Sequence, residues 1–131
     1  MKKYLLTTIF MIMAIISGAS TPEKNVAVMT FKNTTFDFGT FSESSPKVTA
    51  EFTFTNTGDG PLVIHQAIAS CGCTVPTYPK TPIKPGATGK ITVVYNGKGK
   101  FPGHFKKSIT LRTNSKKEMI RLYIEGNMQP K

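Results

Sequence analysis

Cys71 and Cys73 stand one residue apart in the stretch "SCGCT", residues 70–74, and the chain has no other cysteine. Thiols at this spacing can close a small disulfide, exchange electrons with other thiols, or offer two sulfurs to a metal. In an extended strand, residues two apart point to the same side with Cα atoms about 6.5–7 Å apart, the outer limit for a disulfide. Gly72 lets the chain bend more tightly, because glycine adopts φ values closed to other residues. A closed loop of three residues restricts the unfolded chain by only about 1.6 kcal/mol, so such a bond is no staple for a whole domain. Two thiolates fall short of the four ligands of a structural zinc, whereas copper(I) accepts two. His65 shares the cysteines' parity along the chain. The expectation is a local, solvent-reachable pair, either a strained disulfide or a free dithiol, that shapes the turn after the Leu62–Ile68 strand. The alternative is a metal (copper) or thiol-redox role for Cys71-Gly72-Cys73.

Other reactive groups are sparse. The only histidines are His65 and His104, and seven carboxylates are spread along the chain. None falls into a nucleophile–base pair, a paired-carboxylate arrangement or a known catalytic motif. "NGKGK", residues 96–100, is glycine-rich and basic. It lies between two strand patterns, however, whereas phosphate-cradling loops open helices. "NTT" at Asn33 matches a glycosylation acceptor, a short pattern of low specificity. Met29, Met119 and Met128 are too dispersed for a copper site and read as core or tail positions. The chain is expected to be noncatalytic, with no cofactor and no assigned metal ligand.

Charge is distributed unevenly. From Lys80 to the C-terminus there are 12 basic and 2 acidic residues, against 3 and 5 between Thr21 and Pro79. The densest cluster is Lys98, Lys100, His104, Lys106 and Lys107, an anion-facing patch if it acts together. The competing reading is a lysine-rich surface that keeps strand edges apart. The expected partner is a protein or a cell-surface polymer. A specific nucleic-acid partner is not expected, because export removes the usual substrate.

Export is expected from the first residues. Lys2 and Lys3 precede the apolar run Tyr4–Ile16, and "SGAS" follows before the polar "TPEKN". This is the layout of a Sec signal peptide, residues 1–20, cleaved after Ala19 or Ser20. The 13-residue run is shorter than the roughly 20 apolar residues of a membrane span. Membrane attachment follows only if the segment stays uncleaved, and no lipoprotein cysteine follows it. The expected location is periplasmic or extracellular. The loss of Lys2 and Lys3 leaves 15 basic against 7 acidic residues, a net +8. About 110 residues remain, enough for one domain with its own core.

The elements that must position these residues are strands. Val48, Ala50, Phe52 and Phe54 alternate with Thr49, Glu51, Thr53 and Thr55. The same period of two sets Phe36 with Phe38, Leu62 with Ile64 and Ile68, and Ile91 with Val93 and Tyr95. It also groups Phe105, Ile109 and Leu111, interrupted by Lys107, and then Ile120, Leu122 and Ile124. Such alternation marks strands with one buried face. Glycine, proline and asparagine punctuate them in "NTGDGP", "KPGATG", "NGKGKFPG" and "TNSKKE". The pattern predicts an all-β, immunoglobulin-like antiparallel sandwich of about seven strands, residues 26–127. An up-and-down barrel is the runner-up. The chain has no Trp and no distant cysteine pair, so it is not the antibody version.

"FDFGTF", "FTFTNTGDGPLVIHQAIASCGCTVP", "PIKPGATGKITVVYN" and "GHFKKSITLRTNS" together resemble the bacterial domain-of-unknown-function family 1573. These are exported immunoglobulin-like proteins common in Bacteroidetes. The resemblance spans roughly Val28 to Gly126. It implies a seven-stranded sandwich similar to ASPM/Hydin-type (ASH) and major sperm protein domains, chiefly interaction modules, and it implies no established activity.

Overall fold

The computed structural model describes residues 25–131; the expected signal segment, residues 1–20, lies outside the described residues. Eight strands follow one another: β1 (Met29–Phe31), β2 (Thr35–Ser42), β3 (Lys47–Asn56), β4 (Ile64–Ala69), β5 (Thr74–Thr77), β6 (Thr88–Asn96), β7 (Gly103–Thr113) and β8 (Met119–Gln129). They form two four-stranded sheets, β1-β3-β6-β5 and β2-β8-β7-β4. The two sheets pack face to face as an immunoglobulin-like sandwich. Among the described residues no helix is long and apolar enough to cross a membrane.

The eighth strand arises because the first immunoglobulin-type strand is split. β1 joins β3 in antiparallel register, and the chain then crosses to the other sheet, where β2 runs parallel to β8. That pairing departs from the expected antiparallel arrangement. Alternation records which face a strand buries, not which neighbour it joins or in which direction, so the crossover was invisible locally. β2 also carries an irregularity between Asp37 and Thr40. Gly39 takes a φ of 72° there, and its N–H donates to Asp37 Oδ1 at 2.8 Å.

The core follows the period-two pattern. Ala50, Phe52 and Phe54 of β3, with Ile91, Val93 and Tyr95 of β6, meet Ile109 and Leu111 of β7 and Leu122 and Ile124 of β8. Burying each large apolar side chain contributes about 1.5–3 kcal/mol, so packing holds the sandwich together without a long-range crosslink. Phe36 and Phe38, on an edge strand, are only half-buried and pack against the core's rim.

One inward assignment fails. Ile68 is 46% exposed, while Ala67 and Ala69 pack on the core. The register between β4 and β7 shifts between Ile64 and Gln66. One extra residue in a strand reverses the facing of everything after it.

Asn56 shows the opposite surprise, a polar residue wholly buried at the end of β3. Its amide nitrogen donates to the carbonyls of Gly60 and Ile83 at 2.8 and 2.9 Å. Its Oδ1 accepts the N–H groups of Val28 and Gly58 at 3.2 and 3.1 Å. One side chain thus ties four separate backbone positions at this end of the sandwich. The other end gathers the Glu43–Pro46 loop, the β4–β5 connection and the β6–β7 connection, which likewise crosses between the sheets, and there the candidate residues lie.

Candidate functional site

β4 is an edge strand of one sheet and β5 an edge strand of the other. Residues 70–73 alone carry the chain between the sheets, so the turn must be tight. Ser70 N–H donates to Ser108 O at 2.9 Å, and Ser108 N–H returns a bond to Ser70 Oγ at 3.1 Å. On the far side, Asn96 N–H donates to Cys73 O at 2.9 Å. Thr74 N–H closes the turn onto Cys71 O at 3.1 Å. Cys71 and Cys73 are joined as a disulfide with Cα atoms 5.2 Å apart. That is well inside the spacing of an extended strand, because the chain turns at residues 72 and 73; Gly72 takes no positive φ there, so the expected use of glycine's special φ values is not what tightens the turn. Cys73 N–H points at Cys71 Sγ, 3.2 Å away. Both cysteines are half-buried.

This corner also seals the β5 edge. The bond from Asn96 to Cys73 sets the alternation. The main-chain groups of Val75 and Thr77 therefore face β6, and those of Thr74 and Pro76 face away. Thr74 N–H is already spent on Cys71 O, and Pro76 has no N–H. The exposed edge consequently offers no free donor to an incoming strand, a known way of preventing edge-to-edge pairing.

Beside the corner lies an open groove of about 490 Å³ on the outer face of the sheet. Val75 and Val94, directly opposite in register, form an apolar floor. Cys73 and Gly72 line one side, and Lys47, Lys98 and Lys100 supply positive charge. Among the described residues, no carboxylate lies within salt-bridge distance of these three lysines. Phe101, next along the β6–β7 connection, is 96% exposed. The connection is shaped by Lys98 N–H donating to Asn96 Oδ1 at 3.0 Å and Lys100 N–H donating to Gly97 O at 2.9 Å.

The five residues of the basic cluster do not share one surface. Lys98 and Lys100 line the groove. His104 and Lys106 share the outward parity of β7 on the other sheet. There His104 Nε2 lies 3.4 Å from Glu125 Oε1, and Lys106 Nζ sits 5.1 Å from the centroid of the Tyr123 ring. Lys107 has inward parity and is half-buried. His65 is near the opposite end of β4, in a second groove with Arg112, Asn114, Glu118 and Met119. It does not join the cysteines. Among the described residues, no three His, Cys, Asp or Glu side chains converge as a metal site.

Sequence reasoning missed Lys47 and Asn56. Lys47 comes from the first strand pattern and meets Lys98 only through the Lys47–Asn96 pairing, for which the sequence carried no signal. Asn56 did carry one, since it occupies the inward parity after Phe52 and Phe54.

Residues 29–128 match the family described as "Protein of unknown function (DUF1573)", and the chain belongs to that family. The family is not defined by an enzymatic activity. No curated protein matches the sequence. Among solved structures, a protein of unknown function from Porphyromonas gingivalis W83 aligns with a TM-score of 0.66 at 18% identity, covering 79% of this chain and 47% of that one. The chain therefore spans about half the length of that protein. The ASH/PapD-like domain 7 of human CEP192 aligns with a TM-score of 0.62 at 10% identity, covering 91% of this chain and 99% of that domain. The periplasmic chaperone SfaE aligns at 0.54 and 13% identity, covering 79% and 58%. These likenesses define the fold: an immunoglobulin-like sandwich of the kind found in ASH and PapD-like domains.

Proposed function

We propose that the chain is an exported, noncatalytic interaction module that holds a protein partner at its corner end. The observation that carries this reading is Phe101, an exposed aromatic side chain that follows Lys100 in the chain, where Lys100 lines a groove with a valine floor and a lysine rim. Isolated exposed apolar residues are ordinary. Here the exposed Phe101 and Val75 accompany lysines that pair with no carboxylate among the described residues, the combination of apolar anchor and polar rim that binding surfaces use. A fold shared with a periplasmic chaperone supports a protein rather than a polymer as the partner. The sealed β5 edge indicates engagement through side chains rather than strand addition at this corner.

Export rests on the basic start and short apolar run at residues 2–16, with the periplasm or the cell exterior as the destination. The test is gel filtration of native envelope and culture-fluid fractions carrying wild-type or Phe101→Ser protein. The wild type elutes in a complex larger than the free chain, and the variant shifts to the free position. Retention of the protein in the cytoplasm, or identical elution of the two forms, contradicts the reading.

A further inference from the structure

We propose that the Cys71–Cys73 disulfide is a stoichiometric thiol-exchange site selective for small anionic thiols. Cys73 Sγ is the sulfur attacked, and Cys71 Sγ leaves as the thiolate. The inference goes beyond the binding reading and does not depend on it. Three features of the corner carry it: the placement of Cys73, the surroundings of Cys71, and the charge of the approach.

Cys73, but not Cys71, lines the groove with Lys47, Lys98 and Lys100. A thiol arriving through the groove meets Cys73 first. An anionic one is concentrated there by three lysines that no described carboxylate neutralises. Cys71 is better placed to receive negative charge. Its Sγ already accepts the Cys73 N–H at 3.2 Å, a bond that strengthens when the sulfur becomes anionic. The Ser70–Ser108 hydrogen bonds hold the residue before Cys71 against β7. A donor that stabilises the departing thiolate improves the leaving group.

The step balances without an added oxidant. The electron pair of the incoming thiolate forms a new S–S bond to Cys73 Sγ. The pair of the Cys71–Cys73 bond departs on Cys71 Sγ. The product is a mixed disulfide on Cys73 and one free thiolate, formed once per chain and reversed when Cys71 attacks back.

The test uses 2-mercaptoethanesulfonate, 2-mercaptoethanol and cysteamine, which are anionic, neutral and cationic thiols of similar size. Exchange with the purified protein is quenched with iodoacetamide and followed by intact mass, with rates corrected for each probe's thiolate fraction. The anionic probe is expected to react about tenfold faster than the cationic one at low ionic strength, with the gap closing as salt rises. Lys47→Gln with Lys98→Gln and Lys100→Gln removes the order, while Lys106→Gln preserves it. Peptide mapping places the probe on Cys73 and the alkyl group on Cys71. Equal corrected rates, no exchange with any probe, or the probe on Cys71 overturns the proposal. Gel filtration of the Phe101→Ser variant reads the binding role separately.

Discussion

The Tyr95 ring of β6 stacks on the Phe105 ring of β7 with centroids 4.1 Å apart and planes 11° from parallel. The pair bridges the two sheets at the corner end, and Phe41 meets both rings edge-on. Burial pushes the Tyr95 phenol above its ordinary value, because the dry site disfavours the phenolate. A raised pKa in the folded state means that stability is fully present below about pH 10 and falls as pH rises through the folded value. Urea denaturation between pH 8 and 11.5 is expected to show that loss, and Tyr95→Phe to flatten it. An identical alkaline decline in the variant would assign the effect to other groups.

Asn56→Ala is expected to destabilise the protein by roughly 2–5 kcal/mol, since it leaves buried carbonyls and N–H groups without partners. Asn56→Asp keeps the two acceptor contacts of Oδ1 but turns an oxygen toward the carbonyls of Gly60 and Ile83. It therefore recovers little. Chemical denaturation of both variants checks this. A cost below about 0.5 kcal/mol for Asn56→Ala would mean that water replaces the side chain without penalty.

The two isoleucines Ile68 and Ile109 separate the bulged strand from a regular one. Ile68→Ser is expected to change stability by no more than about 0.5 kcal/mol. Ile109→Ala, at a fully buried position, is expected to cost about 2–5 kcal/mol. Equal losses would return Ile68 to the core.

Gly89 faces the Phe54 ring so closely that a Cβ would stand 2.6 Å from Cζ. Gly89→Ala is expected to cost about 1–3 kcal/mol through overpacking, read as a lowered melting temperature. An unchanged midpoint would show that Phe54, though buried, can move aside.

The sandwich was legible because period-two alternation is a local signal that survives on every long strand. β3, β6 and β8 buried the expected residues from Ala50 through Ile124. Strand partners were less legible. The split of β1 from β2 and the bulge before Gln66 depend on distant neighbours, and Ile68 was misplaced for that reason. The site fared similarly. Cys71 and Cys73 announced themselves, and their turn was expected to follow β4, but nothing local revealed that it carries the chain from one sheet to the other. Lys98, Lys100, His104, Lys106 and Lys107 look continuous along the chain. Alternation on β7 and the crossing from β6 before it send them to three different surroundings, while Lys47 joins the groove from β3.

The corner end as the partner-binding surface is tested most directly by site-specific photo-crosslinking in the producing cell. A photoreactive residue replaces Phe101 in one strain and Asp59, an exposed residue at the opposite end of the sandwich, in another. A crosslinked protein species of discrete mass is expected from position 101, lost when Lys47, Lys98 and Lys100 are changed to Glu, and none from position 59. Crosslinking of equal yield from both positions, or from position 59 alone, would contradict it.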